Sequence, residues 1–301
     1  MTHQAVRTPD ARFLNLPDYA FAPNYLDDLP GYEGLRVHYL DEGDTSSDRV
    51  FLCLHGQPTW SFLYRKMIPV FVESGARVIC PDWLGFGRSD KPTEDDVYTF
   101  HFHRNMMIEF VKRLDLTNVT LVCQDWGGIL GLTIPMEMPE RFTRLLVMNT
   151  AIPTGQSPGE GFDSWRAYNR TQPDMDIAGL MKRGTPILTA AEAEAYAAPF
   201  PDVTFKAGVR RFPELVMTAP DMEGVQTSKR ATQWWQNAWN GPTFMAVGAR
   251  DPVLGPAQME RLRQIINGCP DAMIVEDGGH FVQEWGEPVA RAALNAWGDL
   301  S

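Results

Sequence analysis

The stretch VCQDWGG, residues 122–128, decides the fold of this 301-residue chain. Apolar residues ahead of Asp125 predict a buried strand, and two glycines behind it allow a sharp turn into a helix. A small residue two places before Asp125 and a glycine two places after it are typical of a turn that exposes a nucleophile at a strand end. Because a helix N-cap also favours aspartate, the stretch alone leaves a structural and a catalytic interpretation open.

Similar apolar runs surround this stretch and alternate with helical patterns. Parallel strands covered by helices on both faces have such continuous apolar sequences. The runs lie at 50–56, 76–82, 118–125 and 144–152, with helical patterns near 61–73, 100–114 and 128–138. Strands that alternate with helices in this way predict βαβ units and a doubly wound, mostly parallel α/β sheet.

The alternation stops at Pro153, and strand patterns return only at 241–251 and 271–280. The segment between them is rich in Pro, Gly and Ala. Within it, TAAEAEAYAAPF (189–200) has a threonine cap, an acidic first turn and a proline stop, which predict a helix. We therefore predict a helical cap inserted into the sheet domain. The expected division is 1–152 and 221–301 for the main domain, and 153–220 for the cap.

Two further reactive side chains follow the last two predicted strands. Asp251 lies in GARDPVLG (248–255), and His280 lies in EDGGHFVQE (276–284). Because ligands bind at the carboxyl ends of parallel strands, both should meet Asp125 at one edge of the sheet. The order nucleophile, acid, histidine is that of the α/β-hydrolase fold, and it favours the catalytic interpretation of all three residues.

An aspartate nucleophile restricts the reaction class. A carboxylate forms a stable alkyl ester at an sp³ carbon but an unstable anhydride at an acyl group. Asp125 is ionised at pH 7, so His280 would act second, taking a proton from the water that hydrolyses the ester, while Asp251 orients its ring. Backbone N–H groups, one of them from HGQPTW (55–60), would hold the ester's oxyanion. This chemistry needs no metal and no cofactor.

The leaving group separates the possible substrates. An epoxide needs acid donors for its alkoxide, usually two phenols, and Tyr168 and Tyr196 could serve. A halide needs only N–H donors in a dry pocket, and the indole of Trp126, next to the nucleophile, is such a donor. An epoxide hydrolase therefore remains an alternative to a dehalogenase, as does a ligand sensor on an unused hydrolase scaffold, since fold alone does not fix function.

Together these stretches resemble the haloalkane dehalogenases, specifically the subfamily with two halide-binding tryptophans and an aspartate acid. The resemblance covers nearly the whole chain and includes HGQPTWSFLYRKM, PDWLGFGRSDKP, CQDWGG, TAAEAEAYAAPFPD, WQNAWNGPTFMAVG and GGHFVQEWGE. It implies the same triad, with Trp126 and Trp165 at the halide and the backbone N–H groups of Gln57 and Trp126 at the oxyanion. The residues that it implies for the pocket wall are Phe162, Phe212, Pro213, Val253 and Leu254.

Charge and composition limit the partners. The formal net charge of −11 disfavours nucleic acid and anionic membranes. The N-terminus lacks the pattern of a signal peptide, and no apolar run is long enough to span a membrane. We expect a cytoplasmic monomer whose partners are a small haloalkane, its halide product and water.

Overall fold

A mostly parallel sheet forms the centre of the molecule. The computed structural model describes residues 3–300. Within them the strands are β1 Ala5–Val6, β2 Asn24–Leu26, β3 Val37–Glu42, β4 Val50–Leu54, β5 Arg77–Pro81, β6 Lys91–Pro92, β7 Val119–Gln124, β8 Phe142–Met148, β9 Thr243–Gly248 and β10 Met273–Val275. All residues of β4 and β7 are buried, as their continuous apolar sequences predict.

Helices cover the sheet and fill the long connection between β8 and β9. They are α1 Ile68–Glu73, α2 Phe100–Arg113, α3 Trp126–Gly131, α4 Glu160–Arg170, α5 Ile177–Gly184, α6 Ala190–Ala197, α7 Ala207–Leu215, α8 Val225–Asn237, α9 Pro256–Ile265 and α10 Gly286–Trp297. Helix α6 begins with a capping box between Thr189 and Glu192 and ends two residues before Pro199. The described helices include none long and apolar enough to cross a membrane.

Eight strands form the main sheet, in the order β10-β9-β8-β7-β4-β5-β3-β2. All neighbours from β10 to β5 run parallel, whereas β3 pairs antiparallel with β5 and with β2. The predicted α/β-hydrolase architecture is confirmed. The antiparallel edge β2–β3 was not predicted from the sequence.

The register brings five strand ends to one edge. Leu54 pairs with Cys123, Met148 with Ala246, and Gly248 with Val275. Strand β5 lies on one side of β4 and strand β7 lies on the other, so the strand order reverses beside β4. In open α/β sheets the ligand crevice forms at such a switch point.

The insertion between β8 and β9 consists of helices α4 to α8 and their loops. Helices α4 and α7 pack against each other, and α7 also packs on the 91–92 strand of the main domain. The limits of the cap at 153 and 220 stay predictions, since α8 follows directly and packs on α9 of the main domain.

Candidate active site

The turn after β7 is tightly built. Asp125 has φ +48° and ψ −124°, in the left-handed half of backbone space that L-residues rarely adopt. A Cβ atom on Gly127 would lie 1.9 Å from the carbonyl oxygen of Leu54, and one on Gly128 would lie 2.2 Å from Oγ1 of Thr150. Both glycines are therefore required by close contacts with neighbouring segments, and the turn presents Asp125 at the sheet edge.

The carboxylate of Asp125 does not cap helix α3. It occupies the N-cap position, but its side chain makes no capping hydrogen bond. Instead its Oδ2 accepts a hydrogen bond from the backbone N–H of Gln57 at 2.9 Å. Burial raises the pKa of this carboxyl, while His280 and the backbone N–H groups of Gln57 and Trp126 oppose the rise. The structural interpretation of Asp125 as a helix cap is therefore not supported.

His280 lies between the two aspartates. Its Nδ1 is 2.8 Å from Oδ2 of Asp251, and its Nε2 is 3.7 Å from Oδ1 of Asp125. The longer distance exceeds a hydrogen bond, so Oδ1 of Asp125 is free to face a substrate. Burial lowers the pKa of His280, but the charges of Asp251 and Asp125 and the hydrogen bond to Asp251 outweigh it and raise that pKa above its ordinary value.

Asp251 is held by a complete set of donors. Its side chain is fully buried, and its Oδ1 accepts hydrogen bonds from the backbone N–H groups of Val253 and Leu254 at 2.8 and 3.0 Å. Its Oδ2 accepts from His280 and from Nδ2 of Asn149, the latter at 2.9 Å. Burial raises the pKa of Asp251, but His280 and these N–H groups outweigh burial and hold it at about 2. These contacts therefore favour the charged form of Asp251.

Two residues of this site were missed by the sequence analysis. Asn149 follows β8, and besides holding Asp251 it accepts a hydrogen bond from the backbone N–H of Gly248 at 2.8 Å. Gln124, the last residue of β7, is fully buried, and its Nε2 lies 3.1 Å from Nε2 of His280. Each is a polar residue at the end of an apolar run. Because buried polar groups almost always find hydrogen-bond partners, a polar residue at the end of a buried strand could have been predicted to contact the site.

A cavity of about 800 Å³ opens onto Asp125 and His280. Its wall is mostly apolar and includes residues from the insertion and from the ends of β4, β7 and β9. The predicted wall residues that line it are Phe162, Pro213, Val253 and Leu254, together with both predicted halide donors, Trp126 and Trp165. The prediction that Phe212 belongs to the pocket wall is corrected, because Phe212 is fully buried and does not line the cavity. Its ring packs against the indole of Trp126, with 4.7 Å between centroids.

The donors around the cavity differ in what they already bind. Among the hydrogen bonds described for residues 3–300, none uses the indole N–H of Trp126 or Trp165. The side chain of Gln57 is engaged, since its Nε2 donates to the carbonyl of Val209 on α7 at 3.0 Å. Gln57 thus ties the loop after β4 to helix α7 of the insertion, while the two indole N–H groups make no hydrogen bond within the described residues.

The two tyrosines considered as epoxide donors are not placed together. Tyr196 is fully buried, lies outside the cavity wall and donates its hydroxyl hydrogen to Glu284. Tyr168 lines the cavity but is 41% exposed. Among the described residues, Tyr168 is the only tyrosine of that wall, so a pair of phenols facing Asp125 is not formed there.

Comparisons with known proteins agree with this geometry. Residues 49–287 match the family of the alpha/beta hydrolase fold. The chain is 46% identical to a haloalkane dehalogenase of Psychrobacter cryohalolentis, with 95% of each protein covered, and 40% identical to one of Mycolicibacterium paratuberculosis, with 97% of each covered. Its fold is similar to the tetrameric structure of haloalkane dehalogenase DpaA from Paraglaciecola agarilytica, at a TM-score of 0.96 and 52% identity, covering 97% of this chain and 98% of the other.

Proposed function

The chain belongs to the haloalkane dehalogenases of the α/β hydrolase fold, and we propose that Asp125, His280 and Asp251 carry out its hydrolysis of carbon–halogen bonds. The observation that carries this assignment is that the two carboxylate oxygens of Asp125 have different contacts. One oxygen is bound by the N–H of Gln57, and the other lies 3.7 Å from Nε2 of His280 with no hydrogen bond between them.

In the first step, Oδ1 of Asp125 attacks the carbon that carries the halogen. A carbon–oxygen bond forms, the carbon–halogen bond breaks, and the electron pair leaves with the halide. Oδ2 becomes the carbonyl oxygen of the ester and keeps its hydrogen bond to Gln57. Since a carboxylate is already nucleophilic, this step requires no proton transfer and therefore no base.

In the second step, water attacks the carbonyl carbon of the ester and gives a proton to Nε2 of His280. The charge that develops on Oδ2 is stabilised by the backbone N–H groups of Gln57 and Trp126, which face the same carboxyl. Collapse breaks the bond to the alkoxide, which takes the proton from His280 and leaves as alcohol. The other hydrogen of the attacking water stays on the carboxyl of Asp125 and is lost to solvent as Asp125 regains its charge, so the balance is haloalkane and water to alcohol, halide and a proton.

The indole N–H groups of Trp126 and Trp165 are proposed to hold the departing halide. Both line the cavity, and an indole N–H donates without accepting, which suits an anion. The apolar wall keeps competing water away and strengthens such contacts. Epoxide hydrolysis lacks the second phenol among the cavity-lining residues described, and an inert ligand sensor would not need the complete donor set around Asp251.

The oligomeric state and the cellular location of this chain are also proposals. The similar protein from Paraglaciecola agarilytica is tetrameric, whereas the expectation for this chain is a cytoplasmic monomer. Light scattering on the purified protein distinguishes the mass of one chain from that of four. Haloalkane, halide and water are the partners that the family activity requires.

The covalent mechanism is tested by the variant His280→Phe. Alkylation needs no base, whereas hydrolysis of the ester should slow by roughly 10²- to 10⁴-fold without one. With a short terminal bromoalkane, we expect one burst of about one bromide per active site and then a stall. Intact-mass and peptide analysis should place the alkyl group on Asp125.

Two controls make this test decisive. Asp125→Ala should give neither burst nor added mass. His101→Phe changes a histidine that does not line the cavity and should keep multiple turnover. If His280→Phe gave no burst and no adduct, His280 would act before carbon–halogen cleavage, and the covalent mechanism would be wrong.

A further inference from the structure

Gln124 makes a contact that the mechanism above does not use. It is the last residue of β7, fully buried, and directly precedes the nucleophile. Its Nε2 lies 3.1 Å from Nε2 of His280, the atom that must take the proton from water. The same Nε2 lies 3.0 Å from the carbonyl oxygen of His280.

The carbonyl fixes the orientation of this amide. A carbonyl oxygen only accepts hydrogen bonds, so the atom of Gln124 beside it must be the NH₂ group and not the oxygen. The Oε1 of Gln124 faces Nε2 of Gln283 at 3.5 Å, which agrees with that orientation. One amide hydrogen therefore points to the carbonyl, and the second points to Nε2 of His280.

The ring state of His280 follows from its two nitrogens. Nδ1 faces the anion Asp251 at 2.8 Å and must carry a hydrogen. Nε2 can accept the amide hydrogen of Gln124 only when Nε2 carries no hydrogen itself. Protonation of the ring would place two donors against each other at 3.1 Å.

We propose that Gln124 is a positioning residue for the base, which fixes the ring of His280 through its carbonyl and favours the neutral ring through Nε2. It counteracts the two carboxylates that favour imidazolium, and so keeps His280 able to accept a proton from water near neutral pH. This inference rests on the proposed function of His280.

The other charged groups near His280 set the background of the effect. Asp125 and Asp251 face the ring directly and raise its pKa. Behind it, the segment that carries Gln283 continues into Glu284, which is neutralised by Arg65. The remaining ionisable groups that line the shared cavity are Tyr168, Arg183, Arg250 and Asp277.

The test is the pH dependence of ester hydrolysis in Gln124→Met and Gln124→Glu. Methionine removes the donor at similar length, and glutamate replaces it with an acceptor. Rapid-quench measurements with 1-bromobutane separate the bromide burst from alcohol formation. We expect the acid limb of alcohol formation to move to higher pH by roughly one unit in Gln124→Met, about a tenfold change in the fraction of neutral base, and further in Gln124→Glu.

The burst itself should change less than about threefold in Gln124→Met, because the side chain of Gln124 makes no hydrogen bond to the carboxylate of Asp125. Gln283→Met is the matched control, since Gln283 is equally buried and lies near Gln124 but does not contact Nε2 of His280. Its acid limb should stay in place. An unchanged limb in both Gln124 variants, or an equal shift in Gln283→Met, would overturn the proposal.

A measurement on the unchanged enzyme covers the case in which the variants fail to fold. The chain has six histidines, so nitrogen-15 spectra of their rings are simple, and the signal missing in His280→Phe identifies His280. Above the pKa of His280, which the two aspartates raise, we expect a neutral ring with hydrogen on Nδ1 and none on Nε2, and a neutral ring with hydrogen on Nε2 would refute the proposal. If His280→Phe shows its burst and adduct while these tests fail, the proposed function stands and only the role of Gln124 falls.

Discussion

Arg65 joins the insertion to the segment that carries the base, and replacing it should destabilise the protein strongly. The Arg65 side chain is fully buried, and its two terminal nitrogens lie 2.7 and 2.8 Å from the carboxylate of Glu284. Glu284 follows His280 by four residues and is also fully buried. Arg65 lies 2.6 Å from Glu192 on α6 as well, so one guanidinium bridges both parts of the chain.

The structure sets the size of the effect. Arg65→Met leaves Glu284 without its bidentate partner, and removing one member of a buried ion pair costs about 3–5 kcal/mol. Two partners of Glu284 remain, Lys66 at 2.8 Å with 29% of its side chain exposed, and the hydroxyl of Tyr196. We therefore expect a loss near the lower end, about 3 kcal/mol in the free energy of unfolding.

Arg113→Met provides the matched control. Arg113 and Asp28 also form a bidentate pair, but 48% and 53% of their side chains are exposed, and such solvent-exposed pairs contribute little to stability. Urea unfolding monitored by Trp fluorescence measures both losses. In the double variant Arg65→Met with Glu284→Gln, the loss should be smaller than the sum of the single losses, because the uncompensated charge is gone. Equal losses for Arg65→Met and Arg113→Met would refute this reasoning.

Two further predictions concern the halide site and acid stability. Bromide should quench Trp fluorescence saturably. Trp126→Phe and Trp165→Phe should each weaken bromide binding by roughly tenfold or more, because each removes an N–H donor but keeps most of the ring. Gln57→Ala should weaken it less, because one of the two amide hydrogens of Gln57 is already donated to Val209. Normal binding by Trp165→Phe would remove Trp165 from the site. Burial raises the pKa of Asp82, but the charge and hydrogen bond of His38 outweigh burial and hold that pKa at about 2, below its value in the unfolded chain. The Asp82 carboxylate therefore contributes about 2 kcal/mol to the free energy of unfolding above pH 4, and this contribution is lost as pH falls through 2. Unfolding free energies measured from pH 5 to 2 should therefore fall less steeply in Asp82→Asn than in the unchanged protein.

The central strands and the order of the triad could be predicted because both leave local signals. Runs such as VFLCL are apolar throughout, and the structure buries every residue of β4. The helix expected at 128–138 was placed less well. It begins at Trp126, directly after Asp125, and ends at Gly131, and Pro135 then opens a separate short turn, since proline has no N–H to continue a helix.

What the sequence could not predict depends on contacts between distant segments. Gln124 and His280 are 156 residues apart, and their contact exists only because β7 and the loop after β10 end at the same edge of the sheet. Phe212 was expected in the pocket wall, but the rotation of α7 turns its ring towards Trp126 and leaves the neighbouring Pro213 on the cavity. Helix periodicity predicts a buried face, and it does not distinguish a core contact from a cavity wall.

The charges around His280 also explain why one histidine can wait through the first half-reaction and act in the second. In the free site, two carboxylates face the ring, and Asp125 lies 3.7 Å from Nε2. Asp251 raises the pKa of His280 most, and the charge of Asp125 adds a smaller rise. Alkylation turns Asp125 into a neutral ester and removes its charge, so the pKa of His280 should fall when the base is needed. The contact from Gln124 acts in the same direction, and carbon–halogen cleavage itself therefore prepares the ring to accept a proton from water.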